Sequence, residues 1–560
     1  MNQTHLTDGE ERRRSTVKRN RPLRSAALVA ALVATSIIQG APVQAQDDAG
    51  PTGTLSVAYE SDLFSLDPAI AYDSVSIPGV RLLYETLVTY DEGTGLVPAL
   101  AESMPDISED GLTYTFTLRD GVNFVRKGEL VREVTADDVV ASLNRLFRPD
   151  LLPYPSPVGG TLFATIAGAD AVLAGEAESA TGLEALDERT VRITLTAPDR
   201  TFLNVLAMSF GSVLPAETGL DGSVAFTDPV GTGPYFLDSY EVGEKAVFAA
   251  SPHYWQQGMP RTEAIEIRLL VPADTSAQQA LAGDVDITGD NVPPATYEQV
   301  RDDPAYADRV VVEDLLYTLY LGMDTSGEAS PFQDPLVRRA VQHAIDKDNL
   351  LRIVNGRGQV AGCLFPPKLP GFDATCAPYA YDVEAAQALM DEAGVEGIST
   401  QLYTDTTEIS TLQAESIAAD LAHLGIEVEV ITQDWDALLG TISTPHAAPL
   451  VLVGWYADYP DPSNFIDPIL SCATAVEGGA NATWFCDPSI DAEAAEARKV
   501  TDLEAVIPTY QDLQRRIMEQ SPLVPLIYPA WSSLKSDRVT GLERYHPVWT
   551  LDYAAYALEG

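Results

Sequence analysis

A cluster of aromatic and acidic side chains follows an apolar stretch near residue 450. Residues 450–453 contain no polar side chain, which predicts a strand with both faces covered, and Gly454 ends it. The rings and carboxylates that come next are Trp455, Tyr456, Asp458, Tyr459 and Asp461. In open α/β sheets ligands bind at the carboxyl ends of strands. These residue types therefore favour a pocket for a cationic, partly apolar ligand; the alternative is a surface loop whose rings pack into a core.

Two prolines stiffen this loop and separate its acids. Pro460 and Pro462 fix the backbone φ of the turn. Asp461 lies beyond the first of them, so we expect it to cap or brace the loop, whereas Asp458 is the candidate for contact with a ligand. Trp435, which follows the preceding predicted strand, is a candidate wall of the same pocket.

The sequence contains none of the motifs that mark common catalytic sites. There is no G-x-S-x-G, no H-E-x-x-H and no Walker A sequence, and the six histidines form no i, i+4 pair. Pairs of acidic residues are frequent, but a chain with 82 Asp and Glu produces them by chance. We therefore predict a protein that is not an enzyme and uses no cofactor or metal ion. A secreted hydrolase is the alternative of a different class.

The first 45 residues have the features of a secretion signal. Seven basic residues precede the apolar run 26–38, which is too short to span a bilayer. Val43-Gln44-Ala45 fits the small-x-small rule, so we expect cleavage after Ala45 and a mature protein in the periplasm; a membrane anchor is the alternative. Arg13-Arg14 has a weak similarity to a twin-arginine signal, which leaves the export route open.

The charge of the chain excludes two classes of partner. The formal net charge is −47 at pH 7, which opposes nucleic acid and anionic lipid because both require a basic surface. Lysine is scarce as well. An acidic, lysine-poor surface is typical of a saline habitat, where counterions screen repulsion; a moderately acidic periplasmic protein is the alternative.

The four cysteines occur as two closely spaced pairs. Cys363 and Cys376 flank a loop rich in proline and glycine, and Cys472 and Cys486 flank a second loop. An oxidising compartment favours disulfides within each pair. A metal site is the weaker alternative, because no His or Cys falls at the usual ligand spacing.

Hydrophobic periodicity predicts an α/β arrangement around the loop. Strands at 400–403 and 426–431 flank a helix at 409–424, and this crossover leads to the strand at 450.

Apolar spacing also predicts a helix over Val80–Val88. The glycines of Asp228–Tyr235 have no P-loop lysine after them, so we expect them to allow a tight chain crossing.

Several motifs resemble one family of transport proteins. GWYADYPDPSNF at 454–465 resembles the signature of the extracytoplasmic peptide-binding proteins of ABC transporters, solute-binding family 5, oligopeptide and dipeptide branch. LDPA at 66–69, TADDVVASLNRL at 135–146 and DPVGTGPY at 228–235 are similar to further motifs of that family. The resemblance extends from about Gly53 to the C-terminus.

The resemblance implies an α/β fold like that of the type II periplasmic binding proteins, with two hinged lobes and an extra α+β domain. It implies three segments of chain after the signal peptide 1–45, which we call the first, second and third segments. They are respectively the discontinuous domain 46–88, 228–312 and 528–560; the domain 89–227; and the domain 313–527.

The resemblance also implies a function and a ligand site. Members bind peptides and deliver them to membrane permease subunits powered by a cytoplasmic ATPase, and the aspartate that matches Asp458 pairs with the α-amino group of the ligand. The remaining expected ligand-binding residues are Trp455, Tyr456, Tyr459, Trp435 and Tyr59. We expect a monomer.

One departure concerns the length of the ligand. Dipeptide-selective members carry an arginine in the loop after the strand that matches Gln401–Tyr403, where it pairs with the ligand carboxylate. Residues 404–410 contain no base, which favours oligopeptides over strict dipeptides. Alternatives on the same scaffold are an opine, a sugar or a metal complex, and a chaperone-like peptide holder is a further one.

Overall fold

The computed structural model describes residues 51–542, 545–548 and 551–559, and the predicted secretion signal lies outside these residues. The strands are β1 (Thr54–Ala58), β2 (Val88–Tyr90), β3 (Leu96–Pro98), β4 (Asp106–Ile107), β5 (Thr113–Thr117), β6 (Asn123–Arg126), β7 (Glu129–Glu133), β8 (Leu183–Ala185), β9 (Thr190–Thr194), β10 (Tyr235–Glu241), β11 (Lys245–Ala250), β12 (Ala264–Arg268), β13 (Ile287–Thr288), β14 (Val310–Asp314), β15 (Tyr317–Met323), β16 (Gly358–Val360), β17 (Ile398–Asp405), β18 (Ile426–Gln433), β19 (Leu450–Tyr456), β20 (Leu523–Leu534), β21 (Val539–Thr540) and β22 (Ala557–Leu558).

Helices cover or connect these strands. They are α1 (Ser76–Leu83), α2 (Ala136–Arg145), α3 (Ala169–Leu173), α4 (Phe202–Ala207), α5 (Ala273–Ala282), α6 (Pro294–Arg301), α7 (Pro335–Ala344), α8 (Lys347–Ile353), α9 (Val383–Ala393), α10 (Glu408–Ala422), α11 (Trp435–Ile442), α12 (Ser463–Leu470), α13 (Pro488–Arg498) and α14 (Leu503–Gln520).

Three larger sheets organise the three segments. The first segment forms the sheet β10-β11-β12-β1-β13, in which β1 runs parallel to β12 and β13. The second segment forms the antiparallel sheet β4-β5-β9-β8. The third contributes most of the sheet β14-β20-β15-β19-β17-β18, with β16 on β20. The exact domain boundaries stay a prediction.

A long strand joins the first and third segments. The first half of β20 pairs with β15 and its second half pairs with β14. Pro525 and Pro529 lie in β20 near the change of partner, and the register of β15 with β20 shifts between Leu319 and Tyr320. Each proline removes one backbone donor from the ladder, and β16 pairs with β20 at Ile527–Pro529, where the partner changes.

The glycines of the crossing at 228–235 allow close contact, as predicted from the sequence. A Cβ on Gly231 would lie 2.0 Å from the carbonyl oxygen of Leu83, and one on Gly233 would lie 2.3 Å from that of Leu82. The helix predicted over Val80–Val88 is wrong in its bounds, because α1 ends at Leu83. The Leu83 carbonyl accepts the N–H of Gly233 at 2.9 Å, so the crossing strand satisfies it instead of a further helical turn.

Both predicted disulfides are confirmed. Cys363 bonds to Cys376 and Cys472 bonds to Cys486, and the structure contains no other cysteine in the residues it describes. The loop between Cys363 and Cys376 packs against α12, where Phe365 lies edge-on to Phe465 with ring centroids 6.1 Å apart.

Removing the first disulfide is expected to lower stability. Replacing Cys363 and Cys376 with serine should reduce the free energy of unfolding by roughly 3 kcal/mol, because the open loop gains entropy in the unfolded chain. Urea unfolding measures this change, and the matched variant without Cys472 and Cys486 should lose a similar amount. Four titratable thiols in denatured, unreduced protein would contradict the pairing.

Among the described residues, no helix combines the length and the apolar composition needed to cross a bilayer.

Candidate ligand-binding site

Three parallel strands bring the candidate residues to one edge of a sheet. β17 runs parallel to β18 along its whole length and to β19 at Leu402–Tyr403. Their carboxyl ends therefore meet at the same edge, as the predicted crossover through α10 requires. Asp458 follows β19 and Trp435 follows β18 at this edge.

Asp458 is held by two neutral donors. Tyr72 donates its hydroxyl to Oδ1 of Asp458, and Nδ2 of Asn464 donates to Oδ2 at 3.0 Å. The side chain is half-buried. Within the parts of the chain that the structure describes, no lysine or arginine forms an ion pair with it. Asp458 thus presents a carboxylate whose positive partner is free to come from a ligand.

Burial controls the ionisation of this carboxyl. Removal from water raises the pKa of Asp458 above its ordinary value, and the hydrogen bonds from Tyr72 and Asn464 lower it in part. A half-buried carboxylate without a cation gains more from a charged ligand than a fully solvated one, because the surrounding protein screens the attraction less.

Asn464 organises the loop, and the sequence analysis missed it. Its Oδ1 accepts the backbone N–H of Asp458 at 2.9 Å and Nε1 of Trp455 at 3.1 Å, while its Nδ2 donates to Asp458. The side chain is 1% exposed and belongs to the first turn of α12. One buried amide therefore fixes both the backbone and the side chain of Asp458.

Asp461 braces the loop as expected, with a partner that the sequence did not predict. Its carboxylate accepts two hydrogen bonds from Arg200, at 2.9 and 3.0 Å, and both side chains are buried. Oδ1 of Asp461 also accepts the N–H and the hydroxyl of Ser463, the first residue of α12. This carboxylate is fully engaged, so it is unavailable to a ligand.

Large exposed rings of the first and second segments include the one that binds Asp458. Tyr72, of the first segment, packs edge-on against Phe210 with ring centroids 5.2 Å apart. Phe64 stacks on Tyr154, of the second segment, at 5.8 Å. Phe64, Tyr72 and Tyr154 are large and yet 59%, 46% and 36% exposed. Tyr72, which is open to solvent and bonded to Asp458, is suited to contact a partly apolar ligand.

The predicted rings of β19 and its loop lie in different environments. Trp455 is half-buried and bonded to Asn464, whereas Tyr459 is buried. Tyr456 donates its hydroxyl to the carbonyls of Pro547 and Val548 at 3.4 Å. Their role as ligand contacts stays a prediction.

Trp435 and Tyr59 lie at opposite extremes of exposure. Trp435 is the first residue of α11 and is 53% exposed. Tyr59 follows β1, is 3% exposed, and shares a short hydrogen bond between its hydroxyl and that of Tyr553. An exposed ring at the sheet edge suits a pocket wall, whereas a buried one contacts a ligand only after rearrangement; both assignments stay predictions.

Comparison with known proteins identifies the family. Residues 95–476 match the family described as bacterial extracellular solute-binding proteins, family 5, middle region. The di/tripeptide-binding protein 2 of Pseudomonas aeruginosa (strain UCBPP-PA14) is 31% identical over 558 residues, which cover 96% of this chain and 99% of that protein. The chain belongs to solute-binding protein family 5.

Solved structures of this family have the same fold. The periplasmic binding protein DppA of Helicobacter pylori, solved with the peptide STSA, is 28% identical with a TM-score of 0.77, over 91% of this chain and 99% of that one. A clavulanic acid biosynthesis oligopeptide-binding protein is 25% identical with a TM-score of 0.83, over 91% and 96%. The predicted type II-like fold is therefore confirmed, and membership of this family makes the chain a binding protein, not an enzyme.

The family 5 protein also contains a cavity of about 980 Å³ between the first and second segments, and its lining does not include Asp458. Its lining includes Glu85, whose carboxylate accepts hydrogen bonds from the hydroxyl of Tyr254 at 2.9 Å and from Nε1 of Trp255 at 3.0 Å. Burial raises the pKa of Glu85 to about 7, against the opposing effect of these donors.

Glu85 should make the protein more stable at acid than at alkaline pH. A carboxyl whose pKa is higher in the folded state contributes stability below its unfolded pKa, and that contribution is lost as the pH rises through about 7. Glu85→Gln cannot ionise at this position, so between pH 5 and pH 8 it should lose about 2 kcal/mol less free energy of unfolding than the parent loses. Melting curves from pH 5 to 8 measure it. Glu415→Gln, on an exposed face of α10, is the control, and a difference that does not grow with pH would contradict the assignment.

Proposed function

We propose that this protein binds peptides through their free amino terminus and serves as the substrate-binding component of an ABC importer. The observation that carries the proposal is Asp458, a half-buried carboxylate held by neutral donors at the carboxyl end of β19. A protonated α-amino group would complete it with a charge-assisted hydrogen bond. The relatives that are named for di- and tripeptides support the ligand class.

We further propose that the ligand extends beyond two residues. Asp405 ends β17, next to the loop where a dipeptide-selective site needs a base, and it accepts hydrogen bonds from Thr407 and Ser410 at the start of α10. A carboxylate at this place repels the terminal carboxylate of a short peptide. The exposed rings Phe64 and Tyr154, from two different segments, supply apolar surface for further residues.

We propose that the three predicted segments close on the ligand as hinged lobes. The ribbon β14–β20 is the hinge, because β20 exchanges partners at its middle and carries two prolines there. Small-angle scattering should give a smaller radius of gyration with saturating peptide than without it. An unchanged radius at full occupancy would contradict hinge closure.

We propose a mature, monomeric protein in the periplasm that delivers its ligand to permease subunits driven by a cytoplasmic ATPase. The predicted secretion signal of residues 1–45 and the two disulfides support an oxidising, extracytoplasmic location.

The test of the function is a ligand series with and without the amine. Tri- to hexa-alanine should raise the melting temperature, because a ligand that binds the folded state alone stabilises it by mass action. The N-acetylated peptides, which have no charged amine, should produce a much smaller rise. A protein that responds to none of the free peptides, or equally to both forms, would contradict the proposal; dialanine should bind more weakly than trialanine.

A further inference from the structure

A cluster of five charged side chains, three of them buried, connects the second and third segments. Arg200, between β9 and α4, lies against Asp461 of the third segment, as described above. Asp199, the residue before Arg200, makes a second connection. Its Oδ2 accepts a hydrogen bond from Nη2 of Arg498 at 2.6 Å, and Nη1 of Arg498 donates to Oδ2 of Asp467 at 3.0 Å.

Backbone groups complete this contact. Nη1 of Arg200 donates to the carbonyl of Ala497 at 2.7 Å and to that of Val500 at 3.2 Å, and its backbone N–H donates to the carbonyl of Arg498 at 2.9 Å. The guanidinium of Arg200 also lies over the ring of Tyr510, 5.5 Å from its centroid. Four hydrogen bonds of this guanidinium thus go to the third segment.

The two sides of the cluster are remote along the chain. The second segment returns to the first segment, and the first reaches the third through β14, β15 and β20. A rotation at this ribbon would separate Arg200 from Asp461 without breaking any contact inside the second segment. The two opposite charges are paired and buried in one arrangement of the segments and solvated in the other, so removing one of them leaves its partner buried and unpaired in the first arrangement alone.

Asp461 connects this contact to the ligand site. It lies three residues after Asp458 and accepts the N–H of Ser463 at 3.0 Å, which fixes the start of α12. The next residue, Asn464, binds the side chain and the backbone N–H of Asp458. A continuous series of hydrogen bonds therefore runs from Arg200 through Asp461 and α12 to Asp458.

We propose that Arg200 is a positioning residue that couples closure to binding. When the second and third segments meet, its guanidinium fixes Asp461 and thereby holds Asp458 in place; when they separate, the loop of Asp458 loosens and the ligand leaves. This rests on the proposed function for its ligand, whereas the coupling between the two segments stands on the contacts alone.

The test is Arg200→Gln, measured without and with a ligand. Without ligand, hydrogen exchange of the amides of residues 458–466 should be faster than in the parent, and the radius of gyration should be larger. With trialanine as the probe, the dissociation rate should increase by roughly tenfold or more, because one partner of a buried charge pair is left unpaired in the closed state. The association rate should change less, because the contact forms after encounter.

Three variants separate positioning from a general loss of structure. Arg132→Gln is the matched control, since Arg132 makes a two-pronged contact with Asp138 and a further one with Glu217, all inside the second segment. It should leave the dissociation rate and the exchange of residues 458–466 unchanged. Asp199→Asn, which removes one acceptor of Arg498, should increase both to a smaller extent than Arg200→Gln. The double variant of Arg200→Gln with Asp461→Asn should dissociate no faster than the worse single variant.

The outcomes distinguish this proposal from the proposed function. If the parent binds no peptide, the proposed function fails, and exchange and scattering of the ligand-free variants still decide the coupling. If Arg200→Gln matches the parent in exchange, scattering and dissociation, or if Arg132→Gln changes them equally, Arg200 is not a positioning residue.

Discussion

Asp458→Asn is expected to abolish tight binding of a peptide with a free amino terminus while the melting temperature of the ligand-free protein stays nearly unchanged. Asparagine keeps the shape of the side chain and an acceptor for Tyr72 or Asn464. Burial opposes the ionisation of Asp458, so replacing its carboxylate with a neutral amide should not lower the stability of the ligand-free protein. In the complex, however, the ammonium of the peptide would be buried without a partner.

The size of this effect follows from truncation of one partner of a buried charge pair. That change costs about 2–5 kcal/mol, or roughly 30- to several-thousand-fold in affinity. Calorimetry with trialanine measures it, and Asp391→Asn, an exposed carboxylate on α9, controls for the lost charge. If Asp458→Asn binds as tightly as the parent, the ligand has no amine at this place, and a sugar or another neutral solute replaces the peptide.

Local patterns predicted the scaffold of the site well. The crossover from β17 through α10 to β18, the buried strand β19 and both disulfides depend on periodicity, caps and spacing, which are properties of short stretches. The predicted helix over Val80–Val88 extends too far because a contact from elsewhere in the chain ends it. Its apolar spacing continues past Leu83, but the chain crossing at Gly233 takes the Leu83 carbonyl, and no local signal encodes that contact.

The residues that the sequence analysis missed come mainly from elsewhere in the chain. Tyr72 lies 386 positions from Asp458 and Arg200 lies 261 positions from Asp461, so spacing gives no information about either contact. Tyr72 had one signal, since it lies three residues after the LDPA stretch at 66–69, which resembles a family motif. Asn464 lies six residues from Asp458, and an asparagine in the first turn of a helix was a detectable candidate. For Arg200 the sequence offered one signal, which is that basic residues are scarce in this acidic chain.

Asn464→Asp is expected to destabilise the protein strongly at pH 8 and less at pH 5. The new carboxylate would replace the donating Nδ2, which lies 3.0 Å from Oδ2 of Asp458. Two carboxylates at this distance cannot both ionise, so one of them acquires a raised pKa in the folded state. Its contribution to stability is present at low pH and is lost as the pH rises. Leaving an uncompensated charge buried beside Asp458 should cost about 3–5 kcal/mol at pH 8, which urea unfolding at the two pH values measures.

Two further variants show whether charge or the lost hydrogen bonds cause this effect. Asn464→Ala removes the bonds to Asp458 and Trp455 without adding a charge, so its loss of stability should be nearly the same at pH 5 and pH 8. The exchange of Asp458→Asn with Asn464→Asp restores one carboxylate and one amide, and should recover most of the stability at pH 8. Because the carboxylate then lies at the base of α12 and not in the loop, binding of trialanine should stay weak. Equal, pH-independent losses in Asn464→Asp and Asn464→Ala would mean that the carboxylate of Asp458 does not lie against Asn464, and that the ligand amine is bound elsewhere.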